Sequence, residues 1–256
     1  MKKLIPLLLF FVAMPTWAQR QFDIEVIIFK RAVNAETTSE SWPDSLPQID
    51  MSRAGSLGDA NYRSQKGVKL LPKSSYQLNT QEQKLRNHAG FKVLLHTAWR
   101  QGDQGRYSAP VFHIRAGRDF SGQFNADGTE KGSVAHSEVM DGITEQTISG
   151  PLTELDGKFQ IYVEHYLYAD VTLDLQAPSV RKVILEETPV APSDEIVDGE
   201  NSVVQAGMME DITPSIREER FLKSYRMDQK RRMRSSETHF LDHPLMGAII
   251  QVRRVN

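Results

Sequence analysis

Hydrophobic and polar residues alternate in twos along much of this chain. Over 22–29 every even position is apolar (Phe22, Ile24, Val26, Ile28), as a strand with one buried face requires. The odd positions begin with Asp23 and Glu25 and end with Ile27 and Phe29, so the far end of this strand is expected to be covered on both faces. Over 91–99 the odd side carries Phe91, Val93, Leu95 and Trp99, which predicts a second strand. Shorter strands are expected over 111–115 and 248–254, and Ile143 with Ile148 fits one more before the turn at Gly150 and Pro151.

The longest alternation covers 159–175. Its odd positions are Phe159, Ile161, Val163, His165, Leu167, Ala169, Val171, Leu173 and Leu175, while the even ones are mainly Gln, Tyr, Glu, Asp and Thr. At about 3.3 Å per residue it would span roughly 56 Å, too long for one flat strand, so a bend or bulge is expected within it. On that reading His165 lies on the apolar face as a packed core residue. Tyr162, Tyr166 and Tyr168 share the opposite face as an aromatic strip suited to sugar rings or a partner protein.

Helical signals are few. Asn79 and Glu82 stand at the N-cap and N3 positions of a capping box, and a helix over 80–87 follows from it. Residues 32–66 are polar and read as a loop. Residues 186–215 hold eight acids and no lysine or arginine, with Pro189, Pro192 and Pro214, and read as an acidic, mobile insertion. The fold class that results is α+β, mainly antiparallel β: long bent strands in a barrel-like or sandwich-like sheet, one or two short helices and long loops.

The N-terminus changes the picture of where such a domain works. Lys2 and Lys3 precede an apolar run over 4–14, followed by Pro15 and then Thr16, Trp17 and Ala18, the three regions of a secretory signal peptide. The run is shorter than the roughly 20 residues a membrane-spanning helix needs. The expectation is cleavage after Ala18, no membrane anchor afterwards, and a single β-rich domain over 19–256. The absence of cysteine excludes a lipid-modified cysteine, a thiolate metal site and a thiol nucleophile, and the formal charge of −2 is close to neutral. A short signal of this kind points to the Gram-negative periplasm.

Charge is distributed unevenly. Beyond the acidic segment come Arg217, Arg220, Lys223, Arg226, Lys230, Arg231, Arg232 and Arg234, opposed only by Glu218, Glu219 and Asp228. Such a stretch is either a docking surface for an anionic polymer or a solvated face clasped by the chain's own acidic segment. Next, His239 and His243 stand four apart, a spacing that converges on a metal only in a helix, which Pro244 opposes. A structural turn is expected instead, with Asp242 bonding local backbone amides and His243 packed. Nucleophile-elbow, zinc-protease and phosphate-loop motifs are all missing. No catalytic residue, metal or cofactor is therefore assigned, and no nucleic-acid partner.

The segment Arg231-Arg232-Met233-Arg234-Ser235, then Glu237, His239-Phe240-Leu241-Asp242-His243-Pro244-Leu245 and Gly247 before a terminal strand, resembles the signature of the CsiV family of periplasmic peptidoglycan-binding proteins. The stretches 22–31, 93–101 and His165-Tyr166-Leu167 are similar as well. The resemblance implies a non-enzymatic protein that binds peptidoglycan and supports cell-wall assembly. It also implies a link to the outer-membrane lipoprotein that activates a class A penicillin-binding protein. The alternatives are a periplasmic protein–protein adaptor and a wall-modifying enzyme. Stem-peptide carboxylates suit arginine and glycan faces suit aromatics, so Arg231, Arg232 and Arg234, aided by Trp99 or Tyr166, are the expected ligand contacts.

Overall fold

A computed structural model describes residues 20–132, 151–185 and 215–255. The expected signal peptide, the short strand around Ile143 and Ile148, and nearly all of the acidic insertion lie outside the described residues. In chain order the elements are β1 (Gln21–Arg31), β2 (Ala54–Ser56), α1 (Ala60–Gln65), β3 (Lys69–Leu70), α2 (Asn79–Asn87), β4 (Phe91–Gly102) and β5 (Val111–Asp119). They continue with β6 (Thr153–Val163), β7 (Leu167–Leu185), β8 (Ser215–Met233), β9 (Thr238–Asp242) and β10 (Met246–Val255).

These strands build two five-stranded sheets, ordered β3-β4-β1-β10-β9 and β2-β5-β6-β7-β8, and neither closes into a barrel. Every pairing is antiparallel except that of β2 with β5. The apolar faces meet as a sandwich. Ile24, Val26 and Ile28 of β1 with Ala248, Ile250 and Val252 of β10 pack toward Phe112, Phe159, Ile161, Val171, Leu173 and Met227 of the second sheet. Ile27 and Phe29 are buried too, so the end of β1 is covered on both faces as its sequence requires.

Trp99 sits in the middle of this core, with 1% of its surface exposed. Its ring centroid lies 5.1 Å from that of Phe112 and 6.0 Å from that of Phe159, both edge-on. The indole N–H donates to Gln101 Oε1 at 2.8 Å, and Gln101 Nε2 donates across the sandwich to the Ile161 carbonyl at 2.9 Å. A fully buried indole thus has its one donor satisfied, and it is removed from the set of ligand contacts.

The long alternating run is two strands rather than one bent strand. Residues 164–166 form the tip of a hairpin between β6 and β7, and every pair, from Val163↔Leu167 to Leu155↔Leu175, joins two odd or two even positions. The odd face therefore stays apolar straight through the turn, which hides the turn from a period-two reading. His165 is exposed at the tip and is not a core residue.

Two local expectations are replaced. Helix α2 is capped at Leu78 without a side-chain bond. The buried Glu25 carboxylate instead accepts the N–H groups of Gln77 and Leu78, both at 2.8 Å, while Glu82 turns to His96 at 2.7 Å and to Arg86. The polar stretch 32–66 is not all loop. It contains β2 and α1, whose N-cap Asp59 accepts from the amides of Asn61 and Tyr62.

The remainder of that stretch crosses the second sheet. Trp42 packs on Tyr225 of β8 and on His243, with centroid separations of 5.6 and 5.0 Å. Asp44 then pairs with Lys223 at 3.0 Å, and Lys158 Nζ donates to the Asp50 carbonyl at 3.1 Å. From there the chain enters β2 beside β5, so residues 43–53 run as a strap over the outer face of the second sheet, from its β8 edge to its β2 edge.

Candidate functional site

Side chains alternate across a strand, and register sets which of them meet on the outer face of the second sheet. Its rows read Tyr162, Tyr168, Arg232; then Val111, Gln160, Asp170, Lys230; then His113, Lys158, Thr172, Asp228; then Arg115, Asp156, Asp174, Arg226. One end is aromatic, and the remainder interleaves charges of both signs.

At the aromatic end the rings of Tyr162 and Tyr168 stack at 5.3 Å, and Lys230 Nζ lies 5.7 and 5.1 Å from their centroids. The hydroxyl of Tyr162 beside this ammonium holds its pKa above the ordinary lysine value. At the hairpin tip Arg232 Cζ lies 3.6 Å from the centroid of Tyr166. That separation is a face-to-face stack, which leaves the in-plane N–H donors of the guanidinium pointing outward. Both residues are exposed, and Arg232 forms no ion pair among the described residues.

Further along, Arg226 grips Asp174 through two bonds of 2.8 Å each, and this carboxylate holds the guanidinium more firmly protonated than in water. His113 Nε2 meets Asp156 Oδ1 at 2.8 Å, and Arg106 meets Asp170 at 3.2 Å. Between sheet and strap lie two compartments. One, of about 610 Å³, has His113, Asp156, Asp174 and Arg226 on its floor and residues 44–49 and Met51 of the strap on its wall. The other, of about 520 Å³, is bounded by Asp50, Arg53, Arg106, Tyr107, Lys158, Asp170 and Asp228. Both volumes fall in the range of ordinary ligand sites.

The structure brings together only part of the expected contact set. Arg232 and Tyr166 meet. Arg231 is exposed but, one residue along the strand, faces the other side of the sheet. Arg234 lies past the end of β8, where its side chain stands 3.6 Å from Glu237. The basic segment is itself a strand, and its odd positions Phe221, Tyr225, Met227 and Met233 are buried. That period-two signal was readable in the sequence. In the signature segment His239 Nε2 accepts the Arg234 amide at 3.0 Å. His243 is buried, with Nδ1 accepting from the Leu245 amide at 3.2 Å across Pro244. The Asp242 carboxylate bonds Arg31 of β1 rather than local amides.

The profile of one protein family, described as "Peptidoglycan-binding protein, CsiV", matches residues 3–255. The chain belongs to the CsiV family. No curated protein and no solved structure matches it.

For a CsiV-family chain, the residues that sequence reasoning missed are those assembled by topology. Arg53 reaches the face from the strap, Arg106 and Tyr107 from the loop between β4 and β5, and Lys158, Asp170 and Asp228 from three separate strands. The even positions of 159–175 gave a signal for this face, because they are polar throughout. The strap gave none.

Proposed function

We propose that this chain is a non-catalytic peptidoglycan-binding protein of the periplasm and that it docks on the wall through the outer face of its second sheet. The observation that carries the assignment is the Arg232–Tyr166 stack, which presents an unpaired, pre-oriented guanidinium edge beside an aromatic row. A stem-peptide carboxylate matches the two parallel N–H donors of such an edge. The glycan offers C–H faces to the exposed ring of Tyr166 and the half-buried ring of Tyr168, behind which Tyr162 is fully buried and serves as support. Arg232 and Tyr166 replace the wider set of three arginines and Trp99 as the primary contacts. The matched family supports the choice of polymer.

In the same reading the protein supports cell-wall assembly beside an outer-membrane lipoprotein activator of a class A penicillin-binding protein. Co-purification of the two exported proteins checks that association. The binding function itself is tested by sedimenting purified protein with isolated sacculi, with no partner present.

A further inference from the structure

The smaller compartment under the strap keeps one set of opposite charges apart, beside the closed Arg106–Asp170 pair. Lys158 and Asp228 lie in one row on either side of Thr172, about 10 Å apart between Cα atoms at ordinary strand spacing. Each is held by a neutral hydrogen-bond partner, and the Asp50 carboxylate acts on Lys158 and Arg53 from beyond ion-pair distance. Lys158 Nζ donates to the Asp50 carbonyl at 3.1 Å, and Asp228 accepts from the Thr172 hydroxyl at 3.4 Å. Arg53 donates to the carbonyls of Arg106 and Tyr107 at 3.0 and 2.7 Å. Among the described residues none of these three forms an ion pair.

Rigid elements hold the anchors in place. Gln160 Nε2 ties down the loop from β4 to β5 through the carbonyls of Arg106 and Ala109 at 2.7 and 3.2 Å. The Arg106–Asp170 pair at 3.2 Å closes one side. Cations therefore face a carboxylate across a gap that the fold keeps open. A neutral sugar entering it would offer hydroxyl hydrogen bonds but no charge to either wall. A polyanion would meet the carboxylates of Asp50, Asp170 and Asp228. A group with both signs on one carbon satisfies both walls.

We infer that this compartment reads a zwitterionic amino-acid head group, an ammonium and a carboxylate on one carbon, as carried by the free end of a diaminopimelate side chain in the peptide part of the wall. The inference rests on the peptidoglycan reading for the identity of the ligand. Asp228 receives the ammonium, and Lys158 with Arg53 receives the carboxylate.

Titration calorimetry on the full exported chain tests this with three soluble tripeptides, L-alanyl-γ-D-glutamyl followed by diaminopimelate, lysine or 2-aminopimelate. The last two lack the side-chain carboxylate and the ammonium respectively. The diaminopimelate peptide binds about tenfold tighter than either, the worth of one charge-assisted bond. Asp228→Asn erases its advantage over the aminopimelate peptide, and Lys158→Gln erases its advantage over the lysine peptide, with circular dichroism unchanged in both. Equal binding of all three peptides, or binding of none by protein that still sediments with sacculi, overturns the inference and leaves the wall reading standing. Failure of sacculi to retain the protein contradicts the wall reading instead.

Discussion

The guanidinium carbon of Arg232 lies 3.6 Å from the ring centroid of Tyr166. One residue belongs to β8 and the other to the tip of the β6–β7 hairpin, so β7 is the element that aligns them. An exposed stack of this kind contributes about 0.5–1 kcal/mol to its own geometry, a bias of about two- to fivefold toward this rotamer over any other single one. Arg232→Ala is expected to weaken sacculus binding about tenfold, because a charge-assisted contact to a carboxylate is lost. Tyr166→Ala weakens it less, by disordering the arginine. Arg231→Ala, on the other side of the sheet, leaves binding within about twofold, since a rim charge contributes little. Equal losses for Arg231→Ala and Arg232→Ala in one sedimentation series would contradict the assignment.

The Asp174–Arg226 pair tests the integrity of the same face. Both side chains are largely buried, at 13% and 17% exposure, and the geometry is bidentate. Asp174→Asn leaves a mostly buried guanidinium with half its partner, and a loss of about 1–3 kcal/mol is expected from the shift in urea midpoint. A midpoint unchanged within error means the pair is a surface ornament.

Gly157 lies between Asp156 and Lys158 on the groove floor. Its φ is +155°, and a Cβ there would sit 2.2 Å from the Thr172 carbonyl oxygen and 2.7 Å from Leu173 Cα. Backbone cannot yield as a side-chain tip does, so Gly157→Ala is expected to cost at least about 2 kcal/mol. It should also separate β6 from β7 locally. Amide exchange at Thr172 and Leu173 reports this: faster exchange in the variant is the predicted outcome, and wild-type protection with an unchanged midpoint is the contrary one.

Acid sensitivity should come in two stages. Burial pushes the His243 pKa below its ordinary 6.5, Arg31 adds to this, and the charges of Glu40 and Asp242 and the Arg226 backbone oppose it. A depressed folded-state pKa contributes stability that is complete above about 6.5 and lost as pH falls through the lower folded value. Burial pushes the Glu25 carboxyl up, but the Gln77 and Leu78 amides, Arg253 and His96 together hold it below 4.5. Glu154 is likewise held below 4.5 against burial by Lys30, the Arg118 amide and Lys92. Their contributions are present above about 4.5 and disappear as pH falls below it. Urea midpoints from pH 8 to pH 3 should therefore decline gently below about 6.5 and steeply below about 4.5. His243→Gln should remove the first stage alone.

Much of the fold was legible because half-buried strands impose a period of two that composition cannot mask. β1, β4, β5 and β10 follow from alternation alone. The hairpin at 164–166 was invisible for a definite reason: a three-residue tip between paired odd positions keeps the odd face in phase, so Phe159 to Leu175 reads as one strand. β8 was obscured by its charges, although Phe221, Tyr225, Met227 and Met233 carry the same period. Of the expected contacts, only Arg232 and Tyr166 are brought together on the outer face. Trp99 failed as a contact because aromatic character is shared by core and surface, and only the partner sheet decides between them. The strap over 43–53 has no periodic signal, and its position depends on Asp44, Asp50 and Trp42 finding partners far away in the chain.

The outer face of the second sheet is proposed to bind peptidoglycan unaided. Co-sedimentation of purified wild-type and Arg232→Ala,Tyr166→Ala protein with isolated sacculi tests it most directly. Wild-type protein is expected to pellet with sacculi and the folded double variant to stay largely in the supernatant. Wild-type protein left in the supernatant, or a double variant that pellets as wild type does, contradicts it.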